Sequence, residues 1–229
     1  MPRPAITGRD DFWITSSTHL RTSWAGNTFL DAKLQAQDFR LRSGQTTQAD
    51  FLKSETAYYP YVSSDEFEAI ELTCWGATIL FVLPPPGSDV SQLEAALAKN
   101  PDLVEPLLAS REGDVQMPIL HFTYETDMRD ALKKLGVHLI FSDSNTLLSM
   151  APSRSGGILR GVAQKTNITV DGDGIRADSG TISGGVYGGI MGVREPFHMT
   201  LNRPFVFVIR DTVTHALLFV GAVMNPKES

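Results

Sequence analysis

The stretch LNRPFVFVIRDTVTHALLFVGAVMNP, residues 201 to 226, decides the fold. Pro204 to Ile209 and Ala216 to Val223 are apolar runs of strand length, rich in Val, Phe and Leu. Arg210-Asp211-Thr212-Val213-Thr214-His215 joins them. The pattern predicts two strands in a buried hairpin, because a strand apolar on both faces has to be covered on both.

Directly upstream lies ITVDGDGIRADSGTISGGVYGGIMGVREP, residues 168 to 196. It opens with acids and glycines, as a metal loop does. A calcium EF-hand loop counted from Asp171 needs an oxygen ligand at its fifth position and Glu at its twelfth. Those positions hold Ile175 and Ile182, so the motif fails. A phosphate cradle fails too, since no Gly-x-x-x-x-Gly-Lys-Ser/Thr occurs and the glycines open no amphipathic helix. Gly184, Gly185, Gly188, Gly189 and Gly192 predict a segment without regular structure, open to proteolysis.

The rest of the chain reads as many strands and few helices. Strands are expected over 12–24, in two pieces over 36–52 broken at Ser43-Gly44, in two over 66–84, over 117–126 and over 158–170. Ile79 to Leu83 is stopped by Pro84, Pro85 and Pro86. Ser91-Gln92-Leu93-Glu94 has capping-box form before Ala96 and Leu97. Asn100-Pro101-Asp102 predicts a second short helix carrying Val104, Leu107 and Leu108. Asp127 caps a third, with Met128, Ala131, Leu132 and Leu135, and Gly136 ends it. No alternating strand-helix-strand order and no internal repeat is present, so the class is α+β.

Of 229 residues, 42% are hydrophobic and 20% charged, which suits a globular chain and is too apolar for a disordered one. A net charge of −6 argues against nucleic-acid binding. One cysteine, Cys74, builds neither a disulfide framework nor a cysteine zinc site, and reads as a buried core thiol. The opening MPRPAITGRDDFW lacks the apolar core of a signal peptide, and no run approaches the ~20 apolar residues of a membrane span. Nothing predicts a cofactor, a metal or a membrane partner.

Catalytic signatures are likewise missing. There is no Gly-x-Ser-x-Gly, no Ser-x-x-Lys and no His-Glu-x-x-His. His19, His121, His138, His198 and His215 are scattered, and the acids at Asp10-Asp11 and Glu66-Glu68 read as solvated faces. The expectation is a protein that is not an enzyme.

The order of segments resembles the serpin family. MPILHFTYETDMRDALKKLGVHLIF (117–141) is similar to that family's sixth strand of sheet A and the helix after it. GVAQKTNITVDGDG (161–174) resembles the fifth strand leading into the hinge, and residues 201–226 resemble the C-terminal signature. Trp24, Phe29 and Asp38-Phe39 sit as in the third strand of sheet A and the strand after it. ATILFVLPPPG (77–87) looks like a strand of sheet B.

The resemblance implies a multi-sheet serpin-like fold over 1–229, as one domain, with a reactive-centre loop at 174–195. It also implies an N-terminally truncated copy, because the family's first helices and two strands of sheet A have no counterpart. The function implied is inhibition of a serine endopeptidase, trypsin-like or elastase-like. The protease attacks the loop, forms an acyl-enzyme, and is trapped when the cut loop inserts into sheet A, so the inhibitor is a single-use substrate. The hinge would be Gly174, Ile175, Arg176, Ala177, Asp178 and Ser179. Ile175, Ala177, Ser179, Thr181 and Ser183 alternate to one face as small or apolar residues, and Arg176 and Asp178 face the other way. Counting from Gly174 puts the bait bond near Gly188; counting back from Asn202-Arg203-Pro204-Phe205 puts it near Val193, next to the basic Arg194.

Trp24 takes the place of the family's breach tryptophan, and Ser16 and Gln164 that of its shutter pair, where Asn and His are usual. Gly172 within the acidic run and Asp178 after the hinge glycine depart from the family pattern, and both disfavour strand. The alternative is therefore a non-inhibitory or degenerate serpin that serves as a protease substrate or binding module. The compartment is left open, extracellular if the family habit holds.

Overall fold

The computed structural model describes residues 11–26, 28–29, 32–142, 158–171 and 195–227. Along the chain the strands are β1 (Asp11–Ser23), β2 (Gln35–Arg40), β3 (Thr46–Lys53), β4 (Ala57–Ser63), β5 (Glu68–Cys74) and β6 (Ala77–Leu83). Helix α1 (Val90–Lys99), β7 (Ala109–Pro118), β8 (Leu120–Asp127), α2 (Arg129–Lys134), β9 (Ile158–Asp171), β10 (Phe197–Thr200), β11 (Phe205–Asp211) and β12 (Leu217–Val223) follow. The chain divides into two compact units, one of residues 1–20 and 121–169, the other of residues 21–120 and 170–228.

In the first unit β1, β9 and β8 form a sheet in that order, with β9 hydrogen-bonded on both sides. Thr123 on β8 donates to the side-chain oxygen of Asn167 on β9 at 3.0 Å. Gly161 lies so close beneath the Trp13 ring that any Cβ there would collide with it. The predicted third helix is present as α2. The Asp127 carboxylate accepts the Arg129 N–H at 3.0 Å, and Gly136, at φ +90°, ends the helix where an L side chain would be strained.

In the second unit nine strands form one sheet, ordered β12-β11-β6-β5-β4-β7-β3-β2, with β10 attached to β7. Its centre is apolar for the reason the sequence suggested. Ile79 to Leu83 of β6 and Phe205 to Ile209 of β11 are buried throughout, and the two strands pair antiparallel from Val206↔Val82 to Asp211↔Ala77. Helix α1 lays Val90, Leu93 and Leu97 on Ala69, Leu80, Val82, Val206 and Val208. Burying each such Leu or Val is worth roughly 1.5–3 kcal/mol.

Several elements differ from the sequence reading. The helix α1 is capped by Asp89, whose carboxylate accepts the Ser91 N–H at 3.0 Å, so Ser91 lies inside the helix rather than at its cap. The second helix is a single 3-10 turn over Glu105–Leu107. The strand expected over 117–126 is two strands, broken at Ile119, whose N–H turns to the Asp50 carbonyl. Strands β4, β7 and β10 have no counterpart in the sequence reading. β12 stands at the end of the strand order with Leu217, Leu218 and Val220 exposed, so only the β11 half of the hairpin is buried throughout.

Candidate functional site

The candidate loop residues Gly174, Ile175, Arg176, Ala177, Asp178, Ser179, Gly188, Val193 and Arg194 lie outside the described residues. The described structure supplies the strands on either side of them in the chain: β9, which runs to Asp171, and β10, which begins at Phe197.

β10 is short, and its side chains explain how four residues hold a strand in place. It pairs parallel with β7, Phe197↔Gly113 through Thr200↔Gln116. The Phe197 ring stacks on Tyr61 of β4, centroids 3.8 Å apart and 2° from parallel, and meets Tyr59 edge-on at 6.4 Å. Gly113 opposite has no side chain, and Phe197 fills that space. Met199 is fully buried. Between these two apolar anchors, His198 turns outward and its Nδ1 meets the Asp114 carboxylate at 2.7 Å. Asp114 is buried while its partner ring is largely exposed, and Lys53 stands 3.6 Å from the same oxygen. A buried carboxylate is tolerated because it is paired.

Beside Asp114, Ser54 accepts the Val115 N–H at 3.0 Å and donates to the Glu55 carbonyl at 3.1 Å. No described hydroxyl or thiol is hydrogen-bonded to His198. Among the described residues no group of three or more His, Cys, Asp or Glu is placed to hold a metal ion. No described helix is long and apolar enough to cross a membrane.

Trp24 is buried at the start of the second unit, packed on Phe29 at 5.1 Å and Phe81 at 6.4 Å, and bridged to Cys74. Its Nε1–H has no partner among the described residues. Burial pushes the Cys74 thiol up to about 12. Ser16 is exposed on β1 and Gln164 half-buried on β9, and neither makes a side-chain hydrogen bond to a described residue.

The Asp114–His198–Lys53 group and the Phe197–Tyr61 stack were missed by sequence reasoning. Residues 53, 61, 114 and 198 share no spacing in the chain; only the β3, β4, β7 and β10 pairings bring them together.

A family model described as "Serpin (serine protease inhibitor)" matches residues 1–226. The chain belongs to the serpin family. It is 28% identical to Serpin-Z7 of Hordeum vulgare over 240 residues, covering 100% of this chain and 59% of that protein. It is 28% identical to Alpha-1-antiproteinase S of Cavia porcellus over 195 residues, covering 83% of this chain and 46% of that one. A crystal structure of native protease nexin-1 with heparin superposes with a TM-score of 0.74 at 20% identity, over 94% of this chain and 56% of the other, which supports the serpin α+β fold. This serpin thus spans about half the length of the curated relatives it matches.

Proposed function

We propose that this serpin inhibits a serine endopeptidase through a reactive loop at residues 174–195. The family match over residues 1–226 carries the reading. The strand arrangement supports it. β9, whose chain runs into the hinge, is hydrogen-bonded directly to β1, and an inserted strand would enter between these two. Insertion breaks one strand-strand ladder and makes two, so about ten residues of strand gain one net ladder at roughly 1 kcal/mol per bond. Ile175, Ala177, Ser179, Thr181 and Ser183 then share one face, and none of them is charged. The protein is a substrate consumed once rather than an enzyme. Cleavage after Arg194 suits a trypsin-like protease; cleavage after Val193, or near Gly188, suits an elastase-like one.

The residues Gly172 and Asp178 favour a second reading. Both disfavour strand, so a loop carrying them could be cut without inserting, leaving a substrate or binding module. Incubating the chain with trypsin and with pancreatic elastase separates the two. A covalent adduct that survives SDS and a matching loss of protease activity are expected. Cleavage within 182–195 with the protease left fully active would overturn inhibition and leave the second reading.

A further inference from the structure

A cleft in the second unit takes no lining residue from β10 and no part in that proposal. It measures about 420 Å³, within the range of small-molecule sites. Three pieces of chain close around it: the β2–β3 turn, the loop from β6 into α1, and Arg203-Pro204 ahead of β11. Backbone bonding fixes the arrangement. The Arg40 N–H donates to the Asn202 carbonyl at 2.8 Å, which sets Arg40 and Arg203 side by side. The Arg203 Nε–H donates to the Pro84 carbonyl at 2.8 Å.

Cations outnumber carboxylates among the residues that line this cleft. Among the described residues Arg42 takes the only carboxylate lining it, Asp89, at 2.9 Å. Arg40 has no ion-pair partner among the described residues. Arg203 is half-buried, and beyond the Pro84 carbonyl it donates only a long bond to Asn202 at 3.4 Å among the described residues. A guanidinium has five N–H donors, so most of those on Arg203 are unspent. Burial pulls the Arg203 pKa below its ordinary value; the Glu68 carboxylate opposes this, and the charge of Arg40, a smaller effect than that of Glu68, adds to it. Two cations held together, one of them partly desolvated, are stabilised by an anion between them. Leu41, Pro84 and Pro204 supply an apolar wall beside the two cations.

We propose that this cleft binds a small organic acid, its carboxylate or phosphate held between Arg40 and Arg203 and its body against Leu41, Pro84 and Pro204. A planar fork of donors suits either oxyanion.

The test is calorimetric titration of the full chain with benzoate, phenyl phosphate and the neutral benzyl alcohol, at one ionic strength. Benzoate or phenyl phosphate is expected to bind one site saturably and benzyl alcohol not to bind. Arg203→Gln removes a bond that holds the loop together and is open to misfolding, so the deciding variant is Arg40→Gln, at an exposed position. It should weaken binding about tenfold, the loss of one charge-assisted hydrogen bond. Lys99→Gln, at the far end of α1, should change nothing. Three results would each overturn the site: no binding of either acid, equal binding of the alcohol, or an Arg40→Gln affinity equal to that of the unaltered chain.

Discussion

Phe197→Ala is the sharpest probe of the strand that follows the proposed reactive loop. The ring is 7% exposed, lies flat on Tyr61 and meets the edge of Tyr59. Removing a buried Phe costs about 3–5 kcal/mol, transfer and cavity together, and an aromatic stack carries about 0.5–1.5 kcal/mol beyond its area. β10 is short and joined to one strand alone, so the site relaxes more than a central one and the lower end applies: about 3 kcal/mol. Gly113→Ala attacks the same contact from below. A Cβ at 113 would press on the Phe197 ring and also on its carbonyl oxygen, and a carbonyl in a paired strand does not swing aside. Overpacking of this kind costs about 1–3 kcal/mol or more. In the Phe197→Ala background the ring clash is gone and the carbonyl clash remains, so Gly113→Ala should cost less there but not nothing. Urea denaturation of the two single variants and the double variant measures all three terms. A Phe197→Ala loss under about 0.5 kcal/mol, or strictly additive single effects, would refute the proposed anchor.

Two further outcomes are expected. The folded Cys74 thiol loses its proton only near 12, above its ordinary value, so the native state binds more protons than the unfolded one as pH rises through 9. Stability should therefore be unaffected below about pH 8 and fall by roughly 1.4 kcal/mol by pH 10, and Cys74→Ala should abolish that loss; a pH dependence shared equally by the variant would rule out the thiol as its source. In the first unit none of residues 12 to 20 of β1 is buried, whereas Phe197 and Met199 of β10 are. Amide exchange should be faster across β1–β9 than across β10–β7, and the reverse order would remove the reason to expect β1 and β9 to part.

How legible the fold was depended on where each strand's apolar residues came from. β6 and β11 were readable because both faces are buried, which leaves an unbroken apolar run. β7 was not, because ASREGDVQMP is polar over much of its length and becomes a strand by pairing with β4, β3 and β10. β4 was hidden by Pro60, which sits in the strand interior opposite Ser110. The α1 cap was misplaced by two residues because Asp89 and Ser91 both have capping side chains, and the loop from Pro84 delivers Asp89 first. The family resemblance was legible in the C-terminal hairpin and in residues 161–174. The contacts that fix β10 were not, since each is a meeting of residues distant in sequence.

Those contacts bear on how the proposed loop would work. Before cleavage it is tethered at both ends, to β9 upstream and β10 downstream. On the proposed mechanism, cleavage would free the upstream piece to follow β9 into its sheet, while the downstream piece would stay with β10. The two tethers therefore need opposite properties. The upstream sheet has to open, and β1 brings few buried side chains to resist it. The downstream strand has to stay, and it is held by an aromatic stack, a buried methionine and a carboxylate that His198 and Lys53 share. The acid-histidine pair, bonded to no described nucleophile, has a physical role on this reading: it pins the end of the loop that does not move.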